Sequence, residues 1–206
     1  MSYRPITDTW FLTRAKLRDG RKYPGAYLGG FPERARVLLG ASPDDSVLHA
    51  CGGLAKFYPY KGGFGANDKT LDIDPATSPD FLQDARQPFP LHDGALWRAI
   101  LIDPPYSESD ADKYACGRFV YPKPNTLIKN ALDALAVGGR VGLIHYVLLG
   151  GPKNAKFVAA VGILCGFNNR IRVFSVFQKL SEKPRPTTAA VEESVNNNAA
   201  LRKLKQ

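Results

Sequence analysis

Nonpolar positions fall into short runs and stretches of helical spacing, and most of the runs end in glycine or an acid. Ser46-Val47-Leu48-His49-Ala50 predicts a buried strand that closes on Cys51-Gly52-Gly53. Lys69-Thr70-Leu71-Asp72-Ile73-Asp74 predicts a second, stopped by Pro75, and Phe81 to Ala85 a weaker third. Leu96 to Ile102 predicts a fourth, running straight into Asp103-Pro104-Pro105-Tyr106. Pro32 to Gly40 has the proline start and glycine stop of a helix. A second helix spans Thr126 to Ala136, with Leu127, Ile128, Ala131, Leu132 and Leu135 on one face and a stop at Gly138-Gly139. Arg140 to Tyr146 predicts the fifth strand, and Asn154 to Leu164 another helix. Two late β-like stretches, Arg170 to Val173 and Phe174 to Gln178, predict a terminal antiparallel pair.

This alternation of strand and helix predicts a three-layer α/β domain with a mainly parallel sheet. Folds of that kind bind ligands in the crevice outside the carboxyl ends of the strands. His49 to Gly53, Asp72, Asp74, Asp84 and Asp103 to Tyr106 all lie at predicted strand ends, so they are expected to share one cleft. The organisation follows: residues 1–40 a basic lead-in, 41–181 the catalytic domain, and 182–206 a weakly ordered basic tail rich in Lys, Pro and Asn.

Charge sharpens this picture. The net charge is +9, but acids outnumber bases by three over residues 37–149. Bases exceed acids by five over residues 1–36 and by seven over 150–206. A mildly acidic centre between basic ends suits a small-molecule site beside a phosphate-binding surface. Three cysteines without metal-ligand spacing (Cys51, Cys116, Cys165) fit reduced thiols, and no apolar run is long enough for a membrane span. With no secretory signal at the start, the expectation is a cytoplasmic protein that engages no membrane and no metal.

The segment richest in chemistry is Asp103-Pro104-Pro105-Tyr106. An aromatic amine is a poor nucleophile because its lone pair is delocalised into the ring. The Asp103 carboxylate and the Pro104 carbonyl offer two acceptors for the two amino hydrogens, which frees the lone pair for attack on a methyl donor. Consecutive prolines hold those acceptors in place, so little ordering is left to the reaction step. Tyr106 offers a ring on which a base could stack. A strand-ending turn with an exposed aromatic is the bland alternative, and the strand-end acids around the motif argue against it.

In this order, a glycine-containing loop first and Asp-Pro-Pro-Tyr second, residues 20–180 resemble the S-adenosylmethionine-dependent amino-methyltransferases that carry a [DNS]-P-P-[YFW] motif, chiefly those making N6-methyladenine or N4-methylcytosine in DNA. The resemblance implies a Rossmann-like methyltransferase fold and S-adenosyl-L-methionine as methyl donor. It implies that His49, Ala50, Cys51, Gly52 and Gly53 wrap the methionine part of the donor. Asp72, with Asp74 second, would take the ribose hydroxyls, and Asp84 and Ala85 the adenine. Asp103, Pro104, Pro105 and Tyr106 would hold the target base. Two departures stand out: the loop reads His-Ala-Cys-Gly-Gly rather than a Phe-x-Gly-x-Gly-like run, and no inserted target-recognition domain is apparent.

Beside these, Lys113, Tyr114, Arg118 and Tyr121 mix cations with aromatics in the loop after Tyr106, which suits a flipped base and its phosphates. His145 ends the fifth strand near the same cleft, and Gly151-Pro152-Lys153 is a candidate phosphate contact. Tyr23 to Phe31, by the same resemblance, is expected to fold over the donor. The expected activity is methyl transfer to an exocyclic base amine, adenine N6 in DNA first, with RNA or N4-cytosine in DNA as the alternative substrates. A partner protein or a second copy would supply target recognition. A non-catalytic nucleic-acid-binding protein with this fold is the alternative of another class. A nicotinamide dehydrogenase would need Gly-x-Gly-x-x-Gly after the first strand, and residues 50–58 lack it.

Overall fold

In a computed structural model the described residues are 4–14, 27–57, 64–112, 114, 121–166 and 170–181. They form a nine-stranded mixed sheet: β1 (Ile6–Arg14), β2 (Leu28–Gly29), β3 (Val47–Ala50), β4 (Lys69–Asp72), β5 (Phe81–Leu82), β6 (Trp97–Ile102), β7 (Leu135–His145), β8 (Ala155–Cys165) and β9 (Ile171–Lys179). The order across the sheet is β2-β1-β8-β9-β7-β6-β3-β4-β5. From β7 through β6 and β3 to β4 and β5 every pairing is parallel, whereas β9 runs antiparallel to both β7 and β8. This is the mainly parallel α/β sheet that the alternation of elements predicts.

Side chains on the strands alternate between two cores on opposite faces, as a pleated strand requires. Val47 of β3 and Ala99 and Leu101 of β6 join one core with helix α1 (Phe31–Leu39). Leu48, Ile100 and Ile102 join the other with helix α3 (Pro124–Ala134). In the first core Phe174 packs edge-on against Phe31, ring centres 5.1 Å apart. Gly142 lies under the Phe174 ring, which a Cβ there would overlap, so the close approach requires glycine. A short helix, α2 (Glu108–Ala111), begins beyond Tyr106 at Ser107, whose side chain caps the Asp110 N–H.

The predicted strands ending at Ala50 and at Ile102 are present, the one expected over Lys69 to Asp74 stops at Asp72, and α1 and α3 fall within two residues of their expected spans. Four features differ. The segment expected to be a helix from Asn154 to Leu164 is strand β8: from Ala159 to Cys165 its residues alternate between more and less buried, and β-branched Val158, Val161 and Ile163 fit the slot between β1 and β9. The terminal antiparallel pair is therefore β8 with β9, and Arg170 to Gln178 supplies one continuous strand, not two. Strand β7 starts directly at Leu135, so Gly138-Gly139 lies inside it, with Gly138 at φ 84°. Finally, Ile6–Arg14 in the basic lead-in is a strand, parallel to β8, with Trp10 and Leu12 turned into the core.

Candidate active site

The parallel strands end together, and hydrogen bonds between their ends shape a cavity. The Asp103 N–H donates to the Ala50 carbonyl at 3.2 Å, tying the end of β6 to the end of β3. The Gly52 N–H reaches Leu71 of β4 at 3.3 Å. Asp72 then caps the glycine loop: one carboxylate oxygen accepts from the Gly53 N–H at 2.8 Å and the other from the Asp74 N–H at 3.0 Å. A Cβ at Gly52 would meet the His49 carbonyl at 2.8 Å, so the tight turn excludes larger residues there. Cys51 has φ 54°, a left-handed conformation that a non-glycine residue adopts at a cost and that often marks a functional turn.

The cavity is lined by Cys51 and Gly53 from the loop after β3, by Asp72 and Asp74, by Asp84, Ala85 and Arg86, and by Asp103 and Pro105. Tyr114 and Pro122 close it from the segment beyond α2. Most residues expected at strand ends are thus brought to one place. His49 is not among the lining residues. Strand alternation turns its ring to the α1 face, against Phe64, with Nδ1 3.1 Å from the Tyr27 hydroxyl and Nε2 3.1 Å from Asp68. Asp68 is itself fully buried, paired with Arg36 at 2.8 Å and accepting from the Val47 N–H at 2.9 Å. Ala50 is fully buried and does not line the cavity. Of the expected overlay at Tyr23 to Phe31, Tyr27 and Phe31 lie in the α1 core and 23–26 fall outside the described residues, as do Lys113, Arg118 and the 182–206 tail.

Burial sets the electrostatics. It raises the Asp72 carboxyl above its usual range, against the N–H groups of Asp74 and Gly53 and together with the Asp74 charge. At Asp84 burial also pulls upward, but the Arg86 guanidinium, 2.5 Å away, wins and holds the carboxyl below its usual range. Asp103 is the most displaced of the three: burial pushes it up to about 7, opposed by the Tyr106 hydroxyl and by the charge of Arg172. Among these carboxylates the Cys51 thiol is pushed well up, by burial first and then by Asp72, Asp103 and Asp84. It is therefore held as a thiol, not a thiolate.

Tyr106 donates its hydroxyl to Asp103 Oδ1 at 2.6 Å. Its ring packs against Tyr146 (centres 4.6 Å apart) and edge-on to His145 (5.4 Å), and the Arg172 guanidinium lies over it at 5.3 Å. At most one face of the ring is left for a base. His145 Nδ1 accepts from the Val147 N–H at 3.1 Å, and burial lowers the ring's pKa. The neutral tautomer with hydrogen on Nε2 follows, donating to the Tyr121 hydroxyl 2.9 Å away. Arg172, from β9, and Arg86 were not legible as site residues: neither stands in a motif, and Arg172 reaches Tyr106 only because β9 inserts between β7 and β8.

No protein-family model and no curated protein matches the chain. Solved structures do. TrmN from Thermus thermophilus is similar over 76% of this chain and 50% of its own, with 18% identity and a TM-score of 0.52. The fold is Rossmann-like, of the methyltransferase kind. An rRNA methylase from Streptococcus thermophilus matches at 16% identity and TM-score 0.44 over 72% of this chain and 95% of that one. The N-methyltransferase NodS from Bradyrhizobium japonicum WM9 matches at 14% identity and TM-score 0.45 over 72% and 96%. The chain spans about half the length of TrmN. Among the described residues no helix is long and apolar enough to cross a membrane, and no group of three or more His, Cys, Asp or Glu is placed to hold a metal ion.

Proposed function

We propose that the protein is an S-adenosylmethionine-dependent methyltransferase acting on the exocyclic amino group of a nucleic-acid base, adenine N6 in DNA first. One observation carries the reading: the acid-lined cavity at the ends of β3, β4 and β5 is continuous with Asp103 and Pro105, so a donor and an amine would share it. The lining suits the donor. Asp72, at the end of β4, offers a carboxylate for ribose hydroxyls, Ile73 an apolar wall for adenine, and Gly53 a backbone with no side chain in the way. Bound there, the donor supplies an electrophilic methyl group.

The rest of the chemistry belongs to the chain. The Tyr106 hydroxyl occupies Asp103 Oδ1, which leaves Oδ2 and the Pro104 carbonyl to accept the two amino hydrogens. Held in this way, the nitrogen keeps its lone pair out of the ring and pointed toward the methyl. With Oδ1 taken by Tyr106, Asp103 needs both oxygens unprotonated to accept from the amine as well, so transfer falls as pH drops through about 7. Below that pH the carboxyl carries a proton and no longer offers two acceptor oxygens.

Nucleoside mass spectrometry of DNA and RNA from a methylation-free host expressing the protein identifies the product. The expected result is N6-methyladenine in DNA. N4-methylcytosine, or a methylated base in RNA, would reassign the substrate while keeping the chemistry. No modified base in either, from a protein that binds nucleic acid but not the donor, would replace the enzyme with a binding protein.

A further inference from the structure

Arg172 of β9 reaches the motif with its hydrogen bonds incomplete. Its Nη1 donates to Cys165 Sγ at 2.7 Å, its guanidinium lies 5.3 Å over the Tyr106 ring, and its Nε is buried with no hydrogen-bond partner among the described residues. A strand that only had to fill this space would gain more from an apolar side chain, because taking a cation partly out of water with a buried N–H left unpaired is costly. Arg172 sits opposite Ile163 of β8, and Phe174, two residues on, faces Val161 with both in the apolar core. Next to the reacting centre, then, a half-buried position of β9 carries a charge.

We propose that Arg172 is a positioning residue of the methyl-transfer centre: it holds the Tyr106 ring so that the hydroxyl stays on Asp103 Oδ1, and it supplies the positive charge that keeps Asp103 an acceptor for the amine. The proposal rests on the methyltransferase reading of the same site. The groups around Asp103 define the charge balance. Cys51 comes from the end of β3, Asp72 from the end of β4, and Asp84 from the loop after β5. Tyr114 closes the cavity, Cys165 ends β8, and neutral His145 lies against Tyr106. These are acids or uncharged groups. Arg86 also lines the cavity, but it is paired with Asp84. Among the described residues Arg172 is the cation whose charge acts on Asp103, and it opposes the burial that would otherwise protonate it. The Asp103 charge in turn stabilises the charge on Arg172 against its own burial.

The test uses the full chain as wild type, Arg172→Met and Arg172→Lys. Carbon-13 NMR follows the Asp103 carboxyl across pH, its signal assigned by its absence in Asp103→Asn, and the pH profile of kcat/KM is recorded in parallel. The wild-type midpoint is expected near about 7. In Arg172→Met it moves up by about one pH unit or more, and the acid limb of kcat/KM moves with it. Arg172→Lys, which keeps the charge without the planar fork, holds the limb near its wild-type position. An Asp103 midpoint unchanged in Arg172→Met, or a loss of activity equal at all pH values, overturns the proposal. If Arg172→Met does not fold, an Arg172→Lys limb displaced upward overturns the role of the charge. Failure of the methyltransferase reading looks different: wild type transfers no methyl group, yet the Asp103 titration still reports the effect of Arg172.

Discussion

On one side of β7 the strands shorten, from six residues in β6 to four in β3 and β4 and two in β5. On the other, β7, β9, β8 and β1 run nine to eleven residues each. The short strands lean on side chains that bond to backbone: Asp68 to the Val47 N–H, Asp80 to the Thr70 N–H and Asp72 to the Gly53 N–H. The long strands lean on ladder hydrogen bonds and on aromatic packing, with Trp10, Phe31 and Phe174 in mutual contact. Acids that finish short strands leave loops and carboxylates at the sheet's carboxyl edge, which is where a ligand can be held. Among the described residues the long half carries no such acids; it braces the site and contributes one charged residue, Arg172, to it.

Two substitutions probe this division. Asp68→Ala leaves Arg36 and His49 buried without their shared acceptor, and stability should fall by about 3–5 kcal/mol in urea unfolding. A loss below 1 kcal/mol would mean that the short half does not depend on its buried acids. Gly142→Ala, in the long half, presses a methyl group into the Phe174 ring, and the expected loss is about 1–3 kcal/mol with donor binding retained. If donor affinity fell together with stability in Gly142→Ala, the two halves would not be separable in the way their bonding implies.

The same division decided what the sequence could tell. The short half was legible because its strands announce their ends: Asp72-Ile73-Asp74-Pro75 and Asp103-Pro104-Pro105-Tyr106 each combine a nonpolar run with residues that must stop it. The long half was legible only in part: Arg140 to Tyr146 and Arg170 to Gln178 read as strands, and the rest did not. Ala155 to Cys165 mixes alanine, valine and isoleucine in a pattern that suits either period, and only its neighbours β1 and β9 select the strand. Ile6–Arg14 lay hidden in a basic segment although Thr, Trp and Phe favour a strand there. At the site, the order of residues put His49 with the glycine loop, whereas the pleat of β3 turns it toward Tyr27 and Asp68. Arg172 lies 66 residues beyond Tyr106 in the chain, and only the strand order brings the two together.

The account turns on Asp103, and the most direct measurement is transfer of a labelled methyl group from S-adenosylmethionine to unmethylated DNA and RNA by wild type and Asp103→Ala, with donor binding measured for both. The prediction is transfer by wild type, a rate lower by about 10²–10³-fold in Asp103→Ala, and donor binding retained in both. Equal rates in the two proteins would contradict it.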